Sequence, residues 1–147
     1  MSDAKNQNER MFTYLPLSDG DDLKCIDELR PFKCLILVTE KVTGPWQRLV
    51  SEWLVASGCL YMMAWGVNCS SWDDIVDIAN LENFDFGDIP DDKSVMTTWH
   101  SDEPLEEVVR FAKFSALHPT VDLEELVVLD IGKSGRQEIL QKLFDNA

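Results

Sequence analysis

Positive charge is scarce in this chain. Thirteen lysines and arginines face twenty-seven aspartates and glutamates, a formal net charge of −14 over 147 residues. No basic stripe follows any helix-like or strand-like run, which excludes the electrostatic footprint of a direct nucleic-acid binder. Histidine is scarcer still. His100 and His118 stand eighteen positions apart, with no HxxxH or HExxH arrangement for zinc. The four cysteines, at 25, 34, 59 and 69, include no CxxC pair. Cys34 and Cys59 fall inside apolar runs, where a thiol behaves as a small hydrophobe.

The glycines form neither GxGxxG nor a phosphate loop. A phosphate loop needs glycine five positions before Gly132, and Val127 stands there instead. Lys133 and Ser134 are more simply explained as part of a helix start. The acid pairs Asp73-Asp74 and Asp91-Asp92 lack calcium-loop spacing. No apolar run approaches the ~20 residues of a membrane span, and MSDAKNQNER at residues 1–10 has no apolar signal core. The expectation is a cytoplasmic protein with reduced thiols, without metal, cofactor or membrane contact.

What is present is a strand-helix alternation. Hydrophobic residues are 45% and charged ones 27%, enough apolar material for one domain with its own core. After a frayed start at residues 1–10, a single domain over 11–147 is expected. MFTYLPL (11–17) is a short apolar run in which Pro16 argues for a sheet edge. Residues 22–29 suit a short helix ended by Pro31. CLILV (34–38), CLYMMAW (59–65), VMTTW (95–99) and LVVLDI (126–131) read as buried strands.

Helical spacing follows each strand. Trp46, Leu49, Val50, Trp53 and Leu54 form one apolar face, opened by Pro45 and closed by Gly58. Trp72, Ile75, Val76, Ala79 and Leu81 form the next, with Ser70 and Ser71 placed as caps for Asp73 and Asp74. Leu105, Val108, Val109, Ala112 and Ala116 follow Pro104. Ile139, Leu140, Leu143 and Phe144 make the last face, with Ser134 and Gln137 as a capping box. Such alternation implies a mainly parallel sheet of about four strands inside a three-layer α/β/α sandwich, flavodoxin-like or minimal Rossmann-like, with a possible extra N-terminal edge strand.

Charge is distributed unevenly over this framework. Residues 71–130 hold sixteen acids against Lys93, Arg110 and Lys113, so that this segment alone carries −13. Such a concentration costs self-repulsion and attracts a basic partner at long range. Within it, NFDFGDIPDDKS (83–94) alternates Phe84, Phe86 and Ile89 with Asp85, Asp88, Asp91 and Asp92. Aromatic anchors among steering charges are the composition of a protein-binding surface. The neighbouring acids Asp77, Glu82, Glu103, Glu106 and Glu107 extend it. A plainer account has the apolar residues covering a sheet edge while the aspartates face water, and first-turn acids also favour helix N-termini.

A second reading uses the loops beyond the strands' carboxyl ends, where ligands gather in parallel sheets. Those loops carry Glu40, Asn68, Cys69, Ser70, His100, Asp102, Lys133 and Ser134. Cys69 with His100, oriented by Asp102 or Glu40, would make a thiol nucleophile. Any domain of this class puts polar residues there, and no nucleophile-elbow motif accompanies them.

SGCLYMMAWGVNCSSWDD (57–74) followed by FDFGDIPDDKSVMTTWHSDEPLEEV (84–108) resembles a family of small uncharacterised bacterial proteins, a resemblance that implies no catalytic residues. In size and charge the chain is similar to the immunity proteins of bacterial toxin systems, including contact-dependent growth inhibition. That resemblance implies a cognate toxin as the basic partner. The leading expectation is therefore a protein that neutralises a cationic nuclease toxin. The alternatives are a small enzyme or ligand-binding domain using Cys69 and His100, and a regulator that mimics nucleic acid.

Overall fold

Seven consecutive buried residues, FKCLILV, make the central strand, and the chain winds around it. In the computed structural model, which describes residues 11–132 and 135–147, five strands form one all-parallel sheet. They are β1 (Thr13–Leu17), β2 (Phe32–Val38), β3 (Cys59–Gly66), β4 (Met96–His100) and β5 (Glu125–Ile131), in the order β1-β5-β2-β3-β4. The helices are α1 (Gly44–Ser57), α2 (Cys69–Asn83), α3 (Leu105–Arg110, continued by a π turn over Phe111–Ser115) and α4 (Gln137–Asn146).

Both faces of the sheet are covered, which is why β2 and β5 read as continuous apolar runs rather than alternating ones. On one face Cys34, Ile36, Met62, Val127 and Leu129 meet Trp46, Val50 and Leu54 of α1 and Trp72 and Val76 of α2. On the other, Leu35, Leu37, Met63 and Val128 meet Val108, Val109 and Ala112 of the α3 segment and Leu140 and Phe144 of α4. Each such side chain contributes roughly 1.5–3 kcal/mol by leaving water.

Two glycines are required by geometry. Gly58 ends α1 at φ 106°, in the left-handed region, with its N–H on the Leu54 and Val55 carbonyls. Gly66, also at φ 106°, lies so close to β2 that a β-carbon there would stand 2.1 Å from the Val38 oxygen.

Several expectations are corrected. The run at 95–100 is a strand but not a buried one: β4 is an edge, and Trp99 is 51% exposed. Residues 22–29 yield only one 3₁₀ turn, Asp27–Leu29. Ser71 does not cap α2 through Asp74; its Oγ donates to the Asn68 carbonyl at 2.7 Å, and Asn68 holds the N-cap position in a left-handed conformation. Leu49, Leu81 and Ile139 project into solvent despite their helical spacing. Residues 1–10, Lys133 and the Ser134 cap lie outside the described residues.

Candidate functional site

The acids divide into three sets according to the elements that carry them. Asp85, Asp88, Asp91 and Asp92 lie between the end of α2 and the start of β4, at the amino end of the sheet. Asp102, Glu103, Glu106 and Glu107 follow β4, at the carboxyl end. Asp73, Asp74, Asp77 and Glu82 lie along α2 between them. The five residues of β4 separate the ends by roughly 15 Å. Acidic charge therefore runs round one border of the sheet, the β4 edge, rather than forming one loop-centred patch.

The loop at the amino end is held by α2 itself. Asn80 is buried; its Oδ1 accepts from the Val95 N–H at 3.0 Å and its Nδ2 donates to the Lys93 carbonyl at 3.3 Å. A three-residue 3₁₀ turn over Asp91–Lys93 orders part of the same connection. Asp85 and Phe86 both adopt positive φ, 52° and 59°, where the chain reverses after α2. Phe86 is 66% exposed, while Phe84 is half-buried against a groove that also involves Arg30, Val55 and Leu60. The two rings thus divide: Phe84 anchors the loop, and Phe86 is offered to solvent.

Internal partners sort the acids further. Glu82 accepts from Arg48 of α1 at 2.7 Å, and Glu107 pairs with Arg110 at 2.9 Å. Glu103 is drawn inward to His100, with Nδ1 to Oε2 at 3.1 Å. Asp77 accepts from the Thr97 hydroxyl at 2.8 Å. Burial raises the Asp77 carboxyl above its ordinary value, against the lowering effect of Thr97, and the charges of Asp73 and Asp74 add to the rise. Of the twelve acids on this border, Asp74, Asp85, Asp88, Asp91, Asp92, Asp102 and Glu106 have exposed side chains with no intramolecular hydrogen bond or ion pair among the described residues. These seven present uncompensated charge.

The strand-end loops give a different picture. Glu40–Gly44 and Gly66–Ser71 enclose a cavity of about 330 Å³ beside Lys41, Gln47, Asn68 and Ser71. Cys69 is buried in the α1/α2 layer, whereas His100 packs against Phe111 on the opposite side of the sheet, with ring centroids 4.7 Å apart. Both His100 nitrogens are engaged, Nε2 with Thr98 at 2.9 Å and Nδ1 with Glu103. Asp102 sits exposed in the turn at φ 61°. Cys69, His100 and Asp102 are not assembled into one constellation. Among the described residues no group of three or more His, Cys, Asp or Glu side chains is placed to hold a metal ion, and no helix is long and apolar enough to cross a membrane.

A family model described as Domain of unknown function (DUF7684) matches residues 12–147. The chain belongs to this family. In the same comparisons no curated protein and no solved structure matched. The matched span covers every strand and helix of the sandwich, so the acidic border belongs to the DUF7684 domain itself rather than to an appended segment.

Two acids within the −13 segment are not surface charges at all. Asp130 is fully buried near the end of β5, bonded to Arg136 at the start of α4 (Nε to Oδ2, 3.1 Å; Nη2 to Oδ1) and accepting from the Tyr14 hydroxyl of β1. The Arg136 N–H donates back to that hydroxyl at 3.2 Å. Burial raises the Tyr14 phenol, and its bond to Asp130 adds to the rise. An acid inside LVVLDI is the one signal available beforehand, since a buried carboxylate must be paired. Asp73 is buried as well, and its Oδ1 has no hydrogen-bond partner among the described residues.

Proposed function

We propose that this protein binds and neutralises a basic protein partner, in the manner of an immunity protein occupying a cationic nuclease toxin. The observation that carries the reading is the row of uncompensated carboxylates, Asp74, Asp85, Asp88, Asp91, Asp92, Asp102 and Glu106, along the β4 border of an otherwise well-packed sandwich. Apart from the modest helix-terminus effect on Glu106, in the first turn of α3, these charges mainly repel one another within the fold, and they remain free to meet a cation. A nuclease active site gathers lysine and arginine to hold phosphate. An acidic border seated there competes for the same field and excludes nucleic acid. Phe86, exposed among these aspartates, supplies apolar area that steering charges alone lack.

The test is genetic and then physical. The gene immediately upstream in the source genome is expressed alone and together with this chain. The expected result is growth arrest relieved by co-expression, with relief lost when Asp85, Asp88, Asp91 and Asp92 are all changed to lysine. A neighbour that is harmless alone, or relief that persists in the charge-reversed variant, argues against the proposal.

A further inference from the structure

The two edges of the sheet differ in a way that bears on how a partner would dock. β1 carries Pro16, which has no N–H to offer. β4, MTTWH, carries neither proline nor lysine, and among the described residues it is hydrogen-bonded on one side only, to β3. An unpaired strand edge is a template for another strand, and natural proteins usually blunt it. Here none of the described residues pairs with its outer side.

The side chains beside this edge fit a cation. Thr97 bonds Asp77 of α2, which fixes the level at which helix and strand meet. α2 runs antiparallel to the strands it connects. Asp73, one turn earlier, therefore lies closer to the sheet's carboxyl end, by about 6 Å. Trp99, two residues after Thr97 on the same face, lies further along by a similar distance. This places Asp73 and Trp99 at the same height along the seam between α2 and β4. The Asp73 Oδ1 is buried with no partner, while the Trp99 ring is half-exposed and makes no hydrogen bond among those described. Asp74, the next residue on α2, is exposed and adds a further carboxylate. An aromatic face beside carboxylates attracts a lysine or arginine head by both cation–π and ionic terms.

We infer that β4 is the docking edge, and that it takes an extended, lysine- or arginine-bearing segment of the basic partner as a sixth strand. Main-chain hydrogen bonds would supply affinity, and alternate basic side chains would lie over Trp99 and the α2 carboxylates. The free acids at both ends of β4 place opposite charge wherever such a strand begins and finishes. A second copy of this chain is the wrong occupant, because edge-to-edge pairing would bring two acidic borders together, each from a chain of net charge −14. The inference rests on the acidic-binding reading above, and the experiment separates the two.

The probe is a synthetic peptide of alternating lysine and valine, added to the full isotope-labelled chain at low salt. Controls are a glutamate-valine peptide and a lysine-valine peptide with a central proline. The readouts are hydrogen exchange at the Met96–His100 amides and the Trp99 indole resonance. The lysine-valine peptide should slow exchange at the outward β4 amides by roughly tenfold, the factor that nine-tenths occupancy allows. It should also shift the Trp99 indole, and neither control should do the same. Trp99→Lys should weaken the peptide by about tenfold or more; Trp99→Ala should weaken it less, and provides the comparison if the lysine variant misfolds. Peptide shifts confined to Asp85–Asp92 with β4 exchange unchanged overturn the docking edge and leave the acidic reading standing. No shift anywhere overturns both. Concentration-dependent protection of β4 without peptide assigns the edge to a second copy and overturns the inference.

Discussion

Replacing Asp130 by asparagine removes one charge from a site with almost no water. Asp130 is fully buried and the Arg136 side chain is 13% exposed. Removing one member of such a pair leaves the other buried and uncompensated, which costs about 3–5 kcal/mol. An asparagine also turns an amide N–H₂ toward the guanidinium, so the bidentate pair cannot re-form. Taking a urea dependence near ~2 kcal/mol per molar for a domain of this size, the unfolding midpoint should fall by about 2 M. Total stability is of order 5–15 kcal/mol, so the loss is large. Paired replacement by Asp130→Leu and Arg136→Met, with Tyr14→Phe, should recover most of it, because apolar groups of similar volume need no partner. Equilibrium urea unfolding followed by circular dichroism measures both. A loss below about 1 kcal/mol for Asp130→Asn is the value of an exposed pair and would refute the assignment of Asp130 to the interior.

Other outcomes follow from the same physics. Cys69→Ala and His100→Ala should both retain partner neutralisation in the co-expression assay; His100→Ala should lower stability by about 2 kcal/mol or more through lost packing on Phe111, and abolished neutralisation with an intact melt would return those residues to a chemical role. Asp77 protonates more readily folded than unfolded, so its contribution to stability declines as pH rises from its ordinary value of 3.8 through its raised folded value. Asp77→Asn should accordingly melt higher than the parent at pH 7 and lose that advantage at pH 3, and a pH-independent difference would contradict this. Gly66→Ala should be severely destabilised by the 2.1 Å approach to the Val38 oxygen, whereas Gly20→Ala, at φ 90° in open space, should cost only about 1 kcal/mol; equal melts would be the wrong result. In a native thiol-labelling assay exposed Cys25 should react first, while Cys59, its thiol pushed up to about 12 by burial, and Cys34 should react only on unfolding.

The parallel sandwich was legible because β2, β3 and β5 are apolar on both faces, and that pattern has few other homes. Strand order was not, since no local pattern encodes which strand lies at an edge. VMTTW therefore read as buried when β4 is exposed at Trp99. The two threonines were the available hint: Thr97 and Thr98 point to opposite faces and both carry hydroxyls. Charge was legible as a sum but not by address. Asp130 and Asp73 count in that sum yet are inside, and Glu82 has a partner, Arg48, that only the fold brings within reach, whereas Glu107 and Arg110 stand three residues apart on one helix. The His100–Glu103 contact is local, three residues apart, and was open to sequence reading. The placement of Cys69 and His100 on opposite faces depended on where α2 and α3 pack, which periodicity does not report.

The claim that this acidic border steers a basic partner is tested most directly by association kinetics. Surface plasmon resonance would measure binding of the product of the upstream gene to this chain at low and at physiological salt, where the Debye length is ~8 Å. The on-rate should fall about tenfold or more between the two conditions, and lysine at Asp85, Asp88, Asp91 and Asp92 should remove most of that dependence. An on-rate indifferent to salt, or unchanged by the four reversals, would mean that the border is only a solvated face.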